Sequence, residues 1–233
     1  MLINIHCAKC IGIEAVPVMV EVDIASGIGI HLVGLADAAV KESLLRTMTA
    51  LQSRGFRIPG KKIVINLAPA DMHKKGSGYD LPIALGIIAA SGQRDLPLLE
   101  KFLVMGELGL DGAVKEIPGA LPLAELAAKK GLRGCILPLG SAVEAVEISG
   151  ADIFGVRNLE EVLKILSGEQ LCNDLLARNQ ITEVNCCSDI MQMRSDESDE
   201  NDGEMDFADI IGQEGAKRGV EIAASGGHNV ILI

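Results

Sequence analysis

Val16-Pro17-Val18-Met19-Val20-Glu21-Val22-Asp23-Ile24 carries valine or isoleucine at every second position, with Glu21 and Asp23 between them. A period of two with acids on the alternate positions is a β-strand with one apolar and one wet face. Outward from it the period changes. Asp37 can cap a helix running to about Arg54, with Val40, Leu44, Met48 and Leu51 on one stripe and Gly55 at its end. Ile63 to Leu67 is a short apolar strand, and Asp80 then caps a second helix, apolar nearly all round, with Pro82 in its first turn. A helix without a wet face is expected to be buried. Asp111-Gly112, set between Leu108-Gly109-Leu110 and Ala113-Val114, reads as a hairpin turn that needs positive φ. A third helix from about Leu121 to Lys130 ends at Gly131, and Cys135 to Leu137 and Ile153 to Val156 read as strands. Asn158, Glu160 and Glu161 open a last helix with acids at its positive end. The alternation predicts an α/β fold over residues 1–167.

Composition narrows the class. At about 150 residues per domain, 233 residues allow one large domain or one and a half, and 48% apolar residues supply a core. A formal charge of −11 argues against a protein that coats nucleic acid, and no Trp, one Tyr and four Phe leave little for stacking on bases. The longest apolar stretch, Leu81 to Ala90, is ten residues, against roughly 20 for a helical membrane span. Asn4, His6 and Lys9 break up the N-terminus, so it does not read as a signal peptide. Six cysteines are too sparse for a disulfide scaffold and read as reduced thiols. A cytoplasmic protein with no membrane partner is expected.

The charge is uneven. From Ser195 to Asp209, eight of fifteen residues are Asp or Glu and none is Lys or Arg. Such a run cannot bury apolar area, so residues 168–205 are expected to be a linker, disordered at its acidic end. Taking those eight charges from −11 leaves −3 on all the rest. A new unit starts at residue 206, with a helix from Gln213 to Ala224, a stop at Gly226-Gly227, and an apolar strand from Asn229 to Ile233.

Several long stretches resemble one family. They are Val33-Gly34-Leu35-Ala36-Asp37-Ala38-Ala39-Val40-Lys41-Glu42-Ser43, Asn66-Leu67-Ala68-Pro69-Ala70-Asp71, Lys74-Lys75-Gly76-Ser77-Gly78-Tyr79-Asp80-Leu81-Pro82-Ile83-Ala84 and Gly106-Glu107-Leu108-Gly109-Leu110-Asp111-Gly112. After the acidic run come Asp206-Phe207-Ala208-Asp209-Ile210-Ile211-Gly212-Gln213-Glu214 and Ala223-Ala224-Ser225-Gly226-Gly227-His228-Asn229. Together they resemble the magnesium-chelatase-like AAA+ ATPases of the ComM/YifB kind. The resemblance implies an N-terminal domain of Lon-protease-like fold (ribosomal protein S5 domain 2-like), then the first helix and strand of a AAA+ P-loop domain. It implies ATP and Mg as cofactors of the full-length protein, a hexameric ring of copies of itself, and action on single-stranded or branched DNA, including branch migration linked to competence. It places the adenine side of the nucleotide site at Asp209, Ile210, Ile211 and Gly212. The glycine-rich phosphate loop is expected to follow Ile233, so this chain alone is expected to hold no nucleotide tightly and to be inactive. The alternative is a non-catalytic regulatory or scaffold module that docks on AAA+ subunits.

Three chemistries remain to be weighed. Aligned with the Lon protease motif, Gly78 stands where the nucleophile belongs and Leu121 where the lysine base belongs, so no catalytic residue is assigned. Ser77 with Lys115 is weighed as a substitute, but a plain tight turn at Gly76-Ser77-Gly78 entering the buried helix is the reading preferred. His6, Cys7 and Cys10 make one half of a zinc motif, which alone is weak, and buried thiols on an N-terminal strand are preferred, so no metal site is assigned. Residues 41–75 hold eight cations against Glu42 and Asp71. Arg46, Arg54, Arg57, Lys61, Lys62, Lys74 and Lys75 are the candidate nucleic-acid face, a phosphate-tracking surface, against the alternative of a merely solubilising one.

Overall fold

The computed structural model describes residues 2–35, 37–168, 172–180 and 214–227. Strands β1 (Ile3–Ile11), β2 (Glu14–Ala25), β3 (Gly29–Val33), β4 (Lys62–Ala68), β5 (Phe102–Val104), β8 (Gly134–Pro138) and β9 (Asp152–Val156) form one seven-stranded sheet. Its order is β3-β4-β2-β1-β5-β8-β9. Only β2 runs antiparallel to its two neighbours; the other four pairings are parallel. The fold is mixed α/β with a mostly parallel sheet. Sequential parallel strands need crossovers, which helices α1 (Ala38–Ser53), α3 (Ala120–Lys129) and α4 (Leu139–Glu144) supply.

The alternation read at Val16 to Ile24 is kept. Val18, Val20 and Val22 are buried, whereas Glu21 and Asp23 are half-buried on the other face. Helix α2 (Asp80–Ala90) lies on the buried face, with every side chain from Asp80 to Ile88 out of water. The Cα of Gly86 comes so close to the sheet that a Cβ there would stand 2.4 Å from Val22 Cγ2. Helix α3 covers the other face over β1, β5 and β8, burying Ala120, Leu123, Ala124 and Ala127. A two-stranded hairpin, β6 (Glu107–Leu108) and β7 (Val114–Lys115), turns at Asp111-Gly112 with Gly112 at φ 78°. Helix α5 (Leu159–Ser167) is capped by Asn158, whose side chain accepts from the Glu161 N–H.

Asp37 caps α1 through the Val40 N–H at 2.9 Å. The buried line of that helix is Val40, Ser43, Thr47, Ala50 and Leu51, with Leu44 and Met48 only half-buried. The expected stripe was therefore displaced toward polar residues, because this side of α1 meets the start of α2. Asp80 corrects a second expectation. Tyr79 holds the cap position with no side-chain cap bond, and the Asp80 side chain turns away toward α1.

Packing also continues past residue 167. A 3-10 turn spans Cys172–Leu175, Leu176 bridges to Phe154, and the Gln180 amide donates to the Gly155 carbonyl at 2.8 Å. These residues fall inside the stretch expected to be linker, and they are structured because Leu176, Ala177 and Gln180 cover the outer edge of β9. Taken by itself, the second unit contributes helix α6 (Glu214–Gly226), close to the expected Gln213–Ala224, with an Arg218–Glu221 ion pair at 3.0 Å. The acidic run 195–209, the adenine-side residues Asp209 to Gly212 and the strand 229–233 lie outside the described residues. Among the described residues no helix is long and apolar enough to cross a membrane.

Candidate nucleic-acid interface and the cleft at the start of helix α2

Gly76-Ser77-Gly78 forms the expected turn: Gly76 has φ 87°, and the Asp80 N–H donates to the Ser77 carbonyl at 3.1 Å. The turn borders a cleft of about 420 Å³ lined by Lys9, Lys75, Ser77, Glu107, Ile117 and Leu123 among others. The Ser77 hydroxyl donates to the Glu107 carboxylate and, among the described residues, to no lysine or histidine. At Gly78, where a nucleophile would stand, a Cβ would lie 2.9 Å from the Met105 methyl. Leu121, at the place of a base, is 50% exposed on the first turn of α3. Lys115 is exposed on β7, outside the cleft lining, and makes no hydrogen bond to Ser77. The geometry therefore offers no activated nucleophile.

Cys7 and Cys10 lie three residues apart on β1, so their side chains leave opposite faces of the sheet, with about 10 Å of strand between them. Each thiol donates instead to a carbonyl, Cys7 to Ile5 and Cys10 to Gly119, both at 3.7 Å. Burial pushes both thiols above their usual pKa and pulls His6 below its own. Among the described residues no group of three His, Cys, Asp or Glu side chains could hold a metal ion.

The seven candidate cations do not form one face. Arg46 pairs with the fully buried Asp80, Nε to Oδ2 at 3.0 Å and Nη2 to Oδ1 at 3.4 Å. The Leu108 N–H adds a bond to Oδ2 at 3.3 Å. Burial raises the Asp80 pKa; the bond from Arg46 leads the opposing influences. Ser43 lies close enough to favour the charged carboxylate, yet without a hydrogen bond of normal geometry. Lys74 is also lost to the surface: it is buried and donates to the Pro69 carbonyl, and desolvation lowers its pKa. Lys75 is exposed beside the cleft, before α2 begins.

Arg54, Arg57, Lys61 and Lys62 remain together at the other end, where α1 and α2 finish and β4 starts. Arg54, Arg57 and Lys61 are exposed and Lys62 half-buried. Arg54 Nε donates to the Asp111 carbonyl at 2.6 Å, and the Asp111 carboxylate is turned to the Ala113 N–H. The Gln93 side chain bonds the Arg57 backbone twice, which brings the exposed Arg94 to the same end. Arg94 was not singled out in the sequence, because only the fold joins the end of α2 to the end of α1. Among the described residues Arg57, Lys61, Lys62 and Arg94 have no carboxylate partner.

The family model "Subunit ChlI of Mg-chelatase" matches residues 20–141, and the model "Magnesium chelatase, subunit ChlI" matches residues 206–233. The chain belongs to the magnesium-chelatase ChlI family. Within it the chain is ComM/YifB-like. It is 38% identical to the uncharacterized protein YifB of Escherichia coli and 35% identical to the competence protein ComM of Haemophilus influenzae, over 98% of this chain and 42% of each relative. It thus spans less than half the length of these relatives. A weaker similarity, 26% over 62% of the chain and 22% of the relative, is to the archaeal Lon protease of Methanocaldococcus jannaschii.

Proposed function

We propose that the chain is the N-terminal portion of a ComM/YifB-like AAA+ ATPase acting on DNA, whose first domain has a Lon-protease-like fold and contributes a phosphate-backbone contact, not catalysis. The observation that carries this reading is the gathering of Arg54, Arg57, Lys61, Lys62 and Arg94 at one end of a domain whose chain is otherwise acidic. Four of these five cations have no carboxylate partner among the described residues, and such a group without a nucleophile suits a polyanion. The kinship with ComM, a competence protein by name, and the partial likeness to a Lon protease support the same reading. In the full-length protein, ATP and magnesium would act in a ring of copies, with the adenine held near Asp209, Ile210, Ile211 and Gly212, which lie outside the described residues.

The test is fluorescence anisotropy of labelled DNA with the chain and with the triple charge reversal Arg54→Glu, Arg57→Glu, Lys61→Glu. Three lost phosphate contacts flatten the slope of log affinity against log salt by about 2 to 3. Unchanged affinity and slope would mean that these cations only solubilise the domain.

A further inference from the structure

We infer that the basic end is a preorganised reader of the duplex phosphate backbone, in which Gln93 is the positioning residue for Arg57 and a single strand is the poorer ligand. This rests on the nucleic-acid reading above and specifies which form of nucleic acid is taken. The Arg57 N–H donates to Gln93 Oε1 at 2.7 Å, and Gln93 Nε2 donates back to the Arg57 carbonyl at 2.8 Å. Gln93 Nε2 also donates to Ser91 Oγ at 2.7 Å, which fixes the amide against the end of α2. Two bonds across 36 residues of sequence hold the backbone from which the Arg57 guanidinium extends. Arg54 is held through its side chain instead, by Nε on the Asp111 carbonyl, so its two terminal nitrogens remain for a ligand.

A fixed Arg57 backbone and a tethered Arg54 guanidinium suit a ligand whose phosphates are themselves fixed. A duplex meets that condition, whereas a single strand must first be ordered to match. A single strand recovers that cost in most proteins by stacking its bases on aromatic rings. Among the described residues none is available: Tyr79, Phe102 and Phe154 are buried, and Phe56, next to the patch, is half-buried against the core. The patch also lies at the C-terminal ends of α1 and α2, where the helix dipoles disfavour phosphate. Only side-chain tips can make the contact, so no helix end enters a groove and no base edge is read.

The experiment titrates the 233-residue chain into a short labelled mixed-sequence duplex and an oligothymidine strand of equal length, between about 50 and 200 mM salt. The duplex is expected to bind at least about fivefold tighter, with a log–log salt slope near −3.6 for four phosphates. Gln93→Ala is expected to weaken duplex binding roughly 3- to 10-fold with the slope unchanged, because rigidity is lost and charge is not. Arg57→Gln, in contrast, flattens the slope by about 1. Equal or tighter binding of the single strand overturns the inference and leaves the nucleic-acid reading standing. Wild-type affinity in Gln93→Ala overturns the positioning role. Binding of neither probe at the lowest salt overturns both readings.

Discussion

Replacing Arg46 with methionine isolates the carboxylate at the start of α2. Asp80 has no exposed side-chain surface, whereas Arg46 keeps 29% of its own. Methionine fills the volume of the arginine stem, so little cavity is created and the loss is electrostatic. Removing one partner of a buried pair costs about 3–5 kcal/mol, and the rim position of Arg46, where water can replace part of it, sets the expectation at about 3 kcal/mol. With a urea slope of about 2 kcal/mol/M, the midpoint falls by about 1.5 M. The deficit depends on pH. Burial already raises the Asp80 pKa, and without Arg46 the principal opposing influence is gone. A carboxyl whose native pKa lies above its unfolded value favours the folded state most when protonated, and that contribution is lost as pH rises through the native value. The Arg46→Met deficit is therefore largest near neutral pH and shrinks toward about pH 5. Asp80→Asn should cost less, about 1–2 kcal/mol, since it leaves the partly exposed guanidinium to water and the Leu108 N–H with an acceptor. The double variant should cost less than the two single changes added. Urea unfolding followed by circular dichroism at both pH values checks this. A loss below about 1 kcal/mol at neutral pH, or a deficit that does not shrink on acidification, refutes the assignment of a buried, charge-compensated carboxylate.

Gly86→Ala should destabilise by about 1–3 kcal/mol in the same assay, because its Cβ would meet Val22 Cγ2 at 2.4 Å and Ile5 Cδ1 at 2.9 Å in a packed core. A fluorophosphonate probe should leave Ser77 unlabelled; a stoichiometric adduct there, mapped by mass spectrometry, would restore a nucleophile to the cleft. Maleimide labelling of the native chain should reach Cys10 before Cys7 or Cys135, since burial pushes the Cys135 thiol up to about 12 and raises Cys7 as well. Peptide mapping that finds Cys135 modified first would contradict that order.

Local chemistry was legible wherever one residue decides its neighbourhood. Asp37, Asn158 and Asp111-Gly112 each act within three residues of themselves, and each was read correctly. The three-residue β5 is too short to show a period, and Gly29-Ile30-His31-Leu32-Val33 of β3 carries no clean alternation, so neither announced itself. Ser43 and Thr47 carry no apolar signal, and they are buried because Asp80, whose main-chain carbonyl accepts from the Thr47 hydroxyl, comes from a helix 33 residues further on. The same distance concealed the partner of Arg46, and it concealed Gln93 and Arg94 as members of the basic end. Lys74 misled for a related reason: composition counts a charge without showing that its ammonium is turned inward to the Pro69 carbonyl. Cys-x-x-Cys spacing converges two thiols on a turn and separates them on a strand, so its meaning waited for β1.

The two margins of the sheet are finished differently. Beyond β9, Leu176 and Gln180 close the backbone. Beyond β3, among the described residues, no strand is added, and Ile28, Ile30 and Val33 are 88%, 38% and 48% exposed. The domain therefore has a handedness in its solubility: crowding, heating or overexpression should drive it to associate from the β3 margin first, and a lysine at Ile30 should raise the concentration at which it stays dispersed without touching the core, the cleft or the basic end.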